Sequence, residues 1–160
     1  MNLPSLGSRG EGWVVLQFVC LALVAAGGLL YPGFVPGDDL AVLRLVGDLL
    51  VVCGLALVAW AIVALQPAKA FTAVPLPRAD GALVETGPYR FVRHPVYSGL
   101  ILAGIGGAVA RASLAAGVAT IALALVLELK RRREEQWLVE RYTGYTAYRA
   151  RTKALIPFVY

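Results

Sequence analysis

Residues able to do chemistry are concentrated in two patches. The first is Gly87-Pro88-Tyr89-Arg90-Phe91-Val92-Arg93-His94-Pro95-Val96-Tyr97-Ser98-Gly99, which holds the only histidine and two arginines and two tyrosines within nine residues. The second, one apolar hairpin further on, is Lys130-Arg131-Arg132-Arg133-Glu134-Glu135. Arginine grips carboxylates and phosphates through paired N–H groups, glutamate accepts hydrogen bonds, and tyrosine offers a ring with a polar tip. Proline is well tolerated in the first helical turn, so a helix should begin near Pro95. Its unpaired N–H groups, beside Arg93 and His94, are then an expected anion site. His94 has two readings at this point, a helix-start residue bonded to backbone or a ligand contact.

The elements that position these patches are apolar. Of 160 residues, 59% are hydrophobic, and the mean hydropathy of +0.71 is too high for a soluble domain of this size. An all-α integral membrane protein follows, read as one domain over 1–160 with four transmembrane helices at about 13–30, 42–65, 95–110 and 113–130. A cleaved signal peptide is the other reading of the first span, but its apolar run exceeds the ~7–15 residues of a signal core. Arg44 and Asp48, spaced i, i+4 in the second span, can pair on one helix face.

Lys and Arg counts set the orientation. The loop holding Asp38 and Asp39 and the turn at Arg111 should face outward. Arg9, Lys69, Arg78, Arg90, Arg93, Lys130 to Arg133 and the basic tail should face the cytoplasm. Both termini and the two patches are thus expected on the cytoplasmic side of the inner (plasma) membrane. The net charge of +5 then reports a face beside anionic membrane lipid and calls for no nucleic acid partner. Lys130 to Arg133, taken alone, is a topology signal. Cys20 and Cys53 lie within spans, apart from the histidine and from acidic clusters, so no metal set is expected.

Between the second and third spans, residues 68–85 contain Pro75, Pro77, Asp80 and Gly81 without periodicity. They read as an irregular cytoplasmic loop able to form a lid. Tyr31-Pro32-Gly33 and Pro36-Gly37-Asp38-Asp39 predict a compact outer loop. Small residues along the third and fourth spans predict close packing of this hairpin on itself or on the second span. The fourth helix should run on to about Tyr142, some 45 Å at ~1.5 Å per residue. Gly144 should break it before a short basic and aromatic helix suited to the membrane interface.

The first patch, the Glu134-Glu135 pair, and Tyr142-Thr143-Gly144-Tyr145-Thr146-Ala147-Tyr148 with Ile156-Pro157 together resemble the isoprenylcysteine carboxyl methyltransferase family and its bacterial relatives, over roughly 66–160. The resemblance implies a membrane methyltransferase that uses S-adenosylmethionine, with the cofactor enclosed by the cytoplasmic C-terminal helical segment. It implies cofactor contacts at Tyr89, Arg93, His94, Pro95, Tyr97, Gly99, Glu134 and Glu135. It also implies catalytic roles for Arg131 and Glu135, with Arg132 and Glu134 as alternatives in an uncertain local register. The implied reaction is in-line methyl transfer to a lipophilic or lipidated acceptor, a carboxylate held by Arg131 or a lipid amine whose proton a glutamate takes. The competing class is an NADPH-dependent membrane reductase with a similar Arg-His-Pro signature.

Overall fold

The computed structural model describes residues 6–33 and 39–160. Five α-helices occur among them: α1 (Glu11–Leu30), α2 (Asp39–Leu65), α3 (Pro95–Ala110), α4 (Leu114–Arg141) and α5 (Tyr145–Arg151), with a short 3-10 turn at Gly87–Arg90. No strand forms among the described residues, and a single parallel bridge joins Val92 to Lys153. Most of the outer loop expected at 36–39 lies outside the described residues.

Two helices are long and apolar enough to cross a membrane, Glu11–Leu30 and Leu40–Leu65, and only 22% and 11% of their most apolar windows is buried inside the protein. A soluble core helix would hide that surface. These instead leave Phe18, Leu23, Leu45, Val52 and Trp60 exposed, as suits lipid contact. α3 is apolar but shorter. α4 is one uninterrupted helix of 28 residues that carries both the apolar run and the Arg/Glu patch, because residues 128–141 contain neither Gly nor Pro.

Glycines fix how the helices meet. A Cβ on Gly99 would lie 2.6 Å from the Gly54 carbonyl oxygen, and one on Gly106 would lie 2.6 Å from that of Gly47. Hence α3 runs antiparallel to α2 at a backbone separation only glycine permits. The small residues of α3 therefore serve the second span more than the hairpin. A Cβ on Gly27 would meet the Ala116 amide at 2.8 Å, placing α1 against α4. Ser113 caps α4, accepting from the Ala116 N–H, and its hydroxyl reaches the carbonyls of Gly27 and Tyr31. The packing order is α1–α4–α3–α2, and α1 and α2 share no packed face. Arg44 and Asp48 form no ion pair among the described residues; both are exposed.

Candidate active site

The chain start of α3 is built by the C-terminal segment. Pro95 occupies its first turn and is fully buried. The backbone N–H groups of Arg93 and His94 donate to the carbonyls of Lys153 and Ala154, and the Ser98 hydroxyl to that of Leu155. Within α3, the Tyr97 and Ser98 amides donate to His94 O. The helix start expected to be an open anion site is thus largely closed by the protein's own carbonyls.

Behind it lies a charge cluster centred on Glu135. Its Oε1 accepts from Arg93 Nε at 2.9 Å and lies 3.2 Å from His94 Nε2 and 3.1 Å from Arg131 Nη1. Arg93, His94, Arg131 and Glu135 are all buried. Burial alone would push the Glu135 carboxyl up, but His94 and Arg93 outweigh it and hold it down at about 2. Arg131 is fully engaged: it forks onto Glu128 at 2.8 and 2.6 Å, reaches Glu135, and contacts the Tyr160 hydroxyl. Arg93 also donates to the carbonyls of Arg149 and Thr152.

On the other side of this cluster is a cavity of about 330 Å³, lined by all the long elements, within the ~300–1,000 Å³ range of small-molecule sites. Its polar wall carries Arg93, His94, Tyr97, Lys130 and Glu134. Glu134 accepts from the Tyr97 hydroxyl at 2.7 Å, and the His94 ring stacks on Tyr97. Tyr89, Tyr145 and Tyr148 also line it. Tyr148 spends its hydroxyl on the Tyr89 carbonyl at 2.7 Å. Tyr145, 2% exposed, has no partner for its hydroxyl among the described residues. Burial, then the charges of Glu135 and Glu134, push the Tyr145 phenol up, so it is a donor throughout the ordinary pH range. The irregular segment 66–86 forms part of the wall and roof. It is pinned by Tyr142 Oη to Gly81 O at 3.0 Å and by Arg141 to Ala79 O. Gln17 also lines it, and much of the remaining wall is apolar, from Phe18, Leu21, Val58, Ile62, Val96 and Leu100.

The structure therefore brings Tyr89, Arg93, His94, Tyr97 and Glu134 to one cavity. Glu135 and Arg131 stand behind its wall, Pro95 forms the helix start, and Gly99 faces α2. Arg132 points outward, paired with Glu128 at 2.6 Å. Lys130 and Tyr145 are among the lining residues to which the sequence assigns no ligand role. Lys130 precedes Glu134 by four residues, so helical spacing was enough to put both on one face.

The sequence model of the phospholipid methyltransferase family matches residues 42–144, more than half of the chain and all of the cavity's lining except that from α1 and α5. The chain belongs to that family. Its relation to the isoprenylcysteine carboxyl methyltransferases accounts for the resemblance in the two patches, and phospholipid methyltransferases use S-adenosylmethionine. The chain is also similar to the cobalt-zinc-cadmium resistance protein CzcN of Cupriavidus metallidurans, 32% identical over 81 residues. That stretch is 50% of this chain and 38% of CzcN. No group of three or more metal-binding side chains is clustered among the described residues.

Proposed function

We propose that this protein is an integral membrane methyltransferase that moves a methyl group from S-adenosylmethionine to a lipophilic acceptor. The observation that carries the reading is the meeting of the two patches: His94 and Glu135 are 3.2 Å apart, and their cavity-facing neighbours Tyr97 and Glu134 are 2.7 Å apart. S-adenosylmethionine supplies a methyl group already activated by its sulfonium. The residues present suit the rest of the molecule. The Glu134 carboxylate can accept from the amine or the ribose hydroxyls. The unspent Tyr145 hydroxyl can donate to a ligand oxygen or ring nitrogen, and the rings of Tyr89, Tyr97 and Tyr148 can flank the adenine. The roof formed by 66–86 excludes water from the reacting atoms. Arg131 and Glu135 act as positioning residues, setting Arg93 and His94 through the buried ion cluster.

The acceptor atom we assign is a lipid carboxylate oxygen. A bond forms from that oxygen to the methyl carbon as the carbon–sulfur bond breaks, its electron pair goes to sulfur, and no proton moves. The chain's task is to hold the oxygen ~3–3.5 Å from the methyl and in line with it. A lipid amine is the second reading, favoured by the family match. There Glu134, on the cavity wall, would take the proton. A four-span topology with the cavity at the cytoplasmic side is supported by the exposed apolar faces of α1 and α2 and by the clustering of Lys and Arg at that end.

Isothermal titration in uncharged detergent should show binding of S-adenosylhomocysteine and none of NADPH; the reverse sinks the assignment in favour of a reductase. Lipids from cells with and without the protein, compared by mass spectrometry, should differ by one methyl replacing hydrogen. Alkaline treatment releases methanol from a methyl ester and leaves an N-methyl group intact, which separates the two acceptors.

A further inference from the structure

Lys130 is the residue of the cavity that the reading above leaves unused. Lys130 is 2% exposed, yet no carboxylate lies within ion-pair distance of its ammonium among the described residues. Nζ donates to Gln17 Oε1 at 2.7 Å and to the Ala73 carbonyl at 2.9 Å, and it sits 5.3 Å from the Tyr97 ring centre. An ammonium has three N–H donors, so one is left over, and Lys130, Gln17, Ala73 and Tyr97 all line the cavity. A buried cation without a counter-ion is costly unless something supplies the missing charge. Glu134, one helical turn on, attracts it through space but lies beyond ion-pair distance, so the third N–H stays available to a ligand. Along α4, Lys130 lies one turn, about 6 Å, to the membrane side of Glu134. The apolar wall of Phe18, Leu21, Val58 and Leu100 belongs to the same cavity, and α1 and α2, which bring three of these residues, share no packed face.

We infer that Lys130 anchors the anionic oxygen headgroup of a lipid acceptor, a carboxylate or a phosphate, whose apolar chain lies on the wall between α1 and α2. This rests on the cavity being the methyl-transfer site and adds the charge class of its substrate. Gln17 and the Ala73 carbonyl hold the ammonium in place, which leaves its third N–H for an anion in the cavity. A carboxylate here would itself be the acceptor group. A phosphate would instead orient a lipid whose nucleophile lies further along the headgroup.

The full chain in uncharged detergent, with and without saturating S-adenosylhomocysteine, is titrated with hexadecyl phosphate, palmitate and hexadecanol, which share one alkyl chain. The parent should bind at least one anionic probe roughly 10- to 100-fold more tightly than hexadecanol, the worth of a hydrogen bond to a charged group. Which anion wins separates the phospholipid source from the carboxylate. Lys130→Gln keeps donors for Gln17 and Ala73 but removes the charge. It should erase the preference while hexadecanol and S-adenosylhomocysteine binding stay within about threefold, less than the ~1.4 kcal/mol of a tenfold change. Equal affinity of the parent for all three probes overturns the anchor, as does a variant that keeps the preference. If Lys130→Gln fails to fold, the parent's preference decides alone. S-adenosylhomocysteine binding with no anion preference overturns the anchor only; no binding by the parent overturns the cofactor reading beneath it.

Discussion

The adjacent glutamates should fail in opposite ways when each is replaced by glutamine. Glu135 is 4% exposed and within 3.2 Å of Arg93, His94 and Arg131. Glutamine fills the same space without the charge and leaves two buried guanidinium groups facing one another's field. A pair of unit charges ~4 Å apart is worth about 4 kcal/mol at an effective dielectric of ~20, and stripping one partner from a buried pair costs about 3–5 kcal/mol. For a chain of this size each kcal/mol moves the unfolding midpoint by about 2–4 °C, so Glu135→Gln should lower it by about 10 °C. Glu134 has a single short bond, to Tyr97, and its side chain is 21% exposed. Glu134→Gln should cost about 1 kcal/mol and leave the midpoint within ~4 °C. Yet it should weaken S-adenosylhomocysteine binding by at least about tenfold, the loss of one charged hydrogen bond. The assays are thermal unfolding in detergent and titration calorimetry. A stable Glu135→Gln beside an unstable Glu134→Gln would refute the division of labour between cavity wall and buried cluster.

The pH dependence follows from the same carboxyl, whose folded value lies at about 2 against an ordinary 4.5. Its stabilisation is complete above 4.5 and is lost as pH falls toward 2, so the parent's midpoint should drop across that window and Glu135→Gln should show a shallower drop. Tyr145→Phe removes a hydroxyl that has no partner among the described residues. The midpoint should hold or rise, while S-adenosylhomocysteine affinity falls about 5- to 10-fold, one neutral hydrogen bond; a drop in stability with unchanged affinity would overturn the assignment of that hydroxyl to a ligand. Gly99→Ala forces a methyl to 2.6 Å from the Gly54 carbonyl and 2.7 Å from Val58 and should cost about 1–3 kcal/mol by separating α3 from α2. Gly107→Ala, with nothing within 4 Å, should stabilise by about 0.5–1 kcal/mol; equal midpoints for the two variants would count against the glycine-paired interface.

What the sequence made legible follows from the range over which each signal acts. The start of α3 at Pro95, the run of α4 past the apolar stretch, and its end before Gly144 depend on neighbouring residues alone, and each appears within a residue or two of its expected place. That the two patches meet was carried by the family resemblance. What each side chain faces was not legible, because it depends on which helix lies opposite. Gly99 reads as part of the motif and turns out to be one of the places where α2 packs backbone to backbone. The open anion site expected at Pro95 required the amides of Arg93 and His94 to lack partners, and those partners come from Lys153 and Ala154, sixty residues away along the chain.

Helical register supplies the remaining step. Successive residues of α4 point roughly 100° apart, so a run of four basic residues cannot act as one patch. Lys130 shares a face with Glu134 and faces the cavity, whereas Arg131 shares one with Glu128 and Glu135 and is consumed by them. Arg132 reaches solvent, and Arg133 lies over the Trp137 ring. The same Glu-Glu pair is divided by the same rotation into one carboxylate on the cavity wall and one in the buried ion cluster. A single residue inserted between 130 and 134 would turn Glu134 into the register now held by Glu135 and carry Glu135 past it, leaving composition, charge and hydropathy unchanged in character. The chemistry of this site is therefore written in the spacing of its charges along one helix.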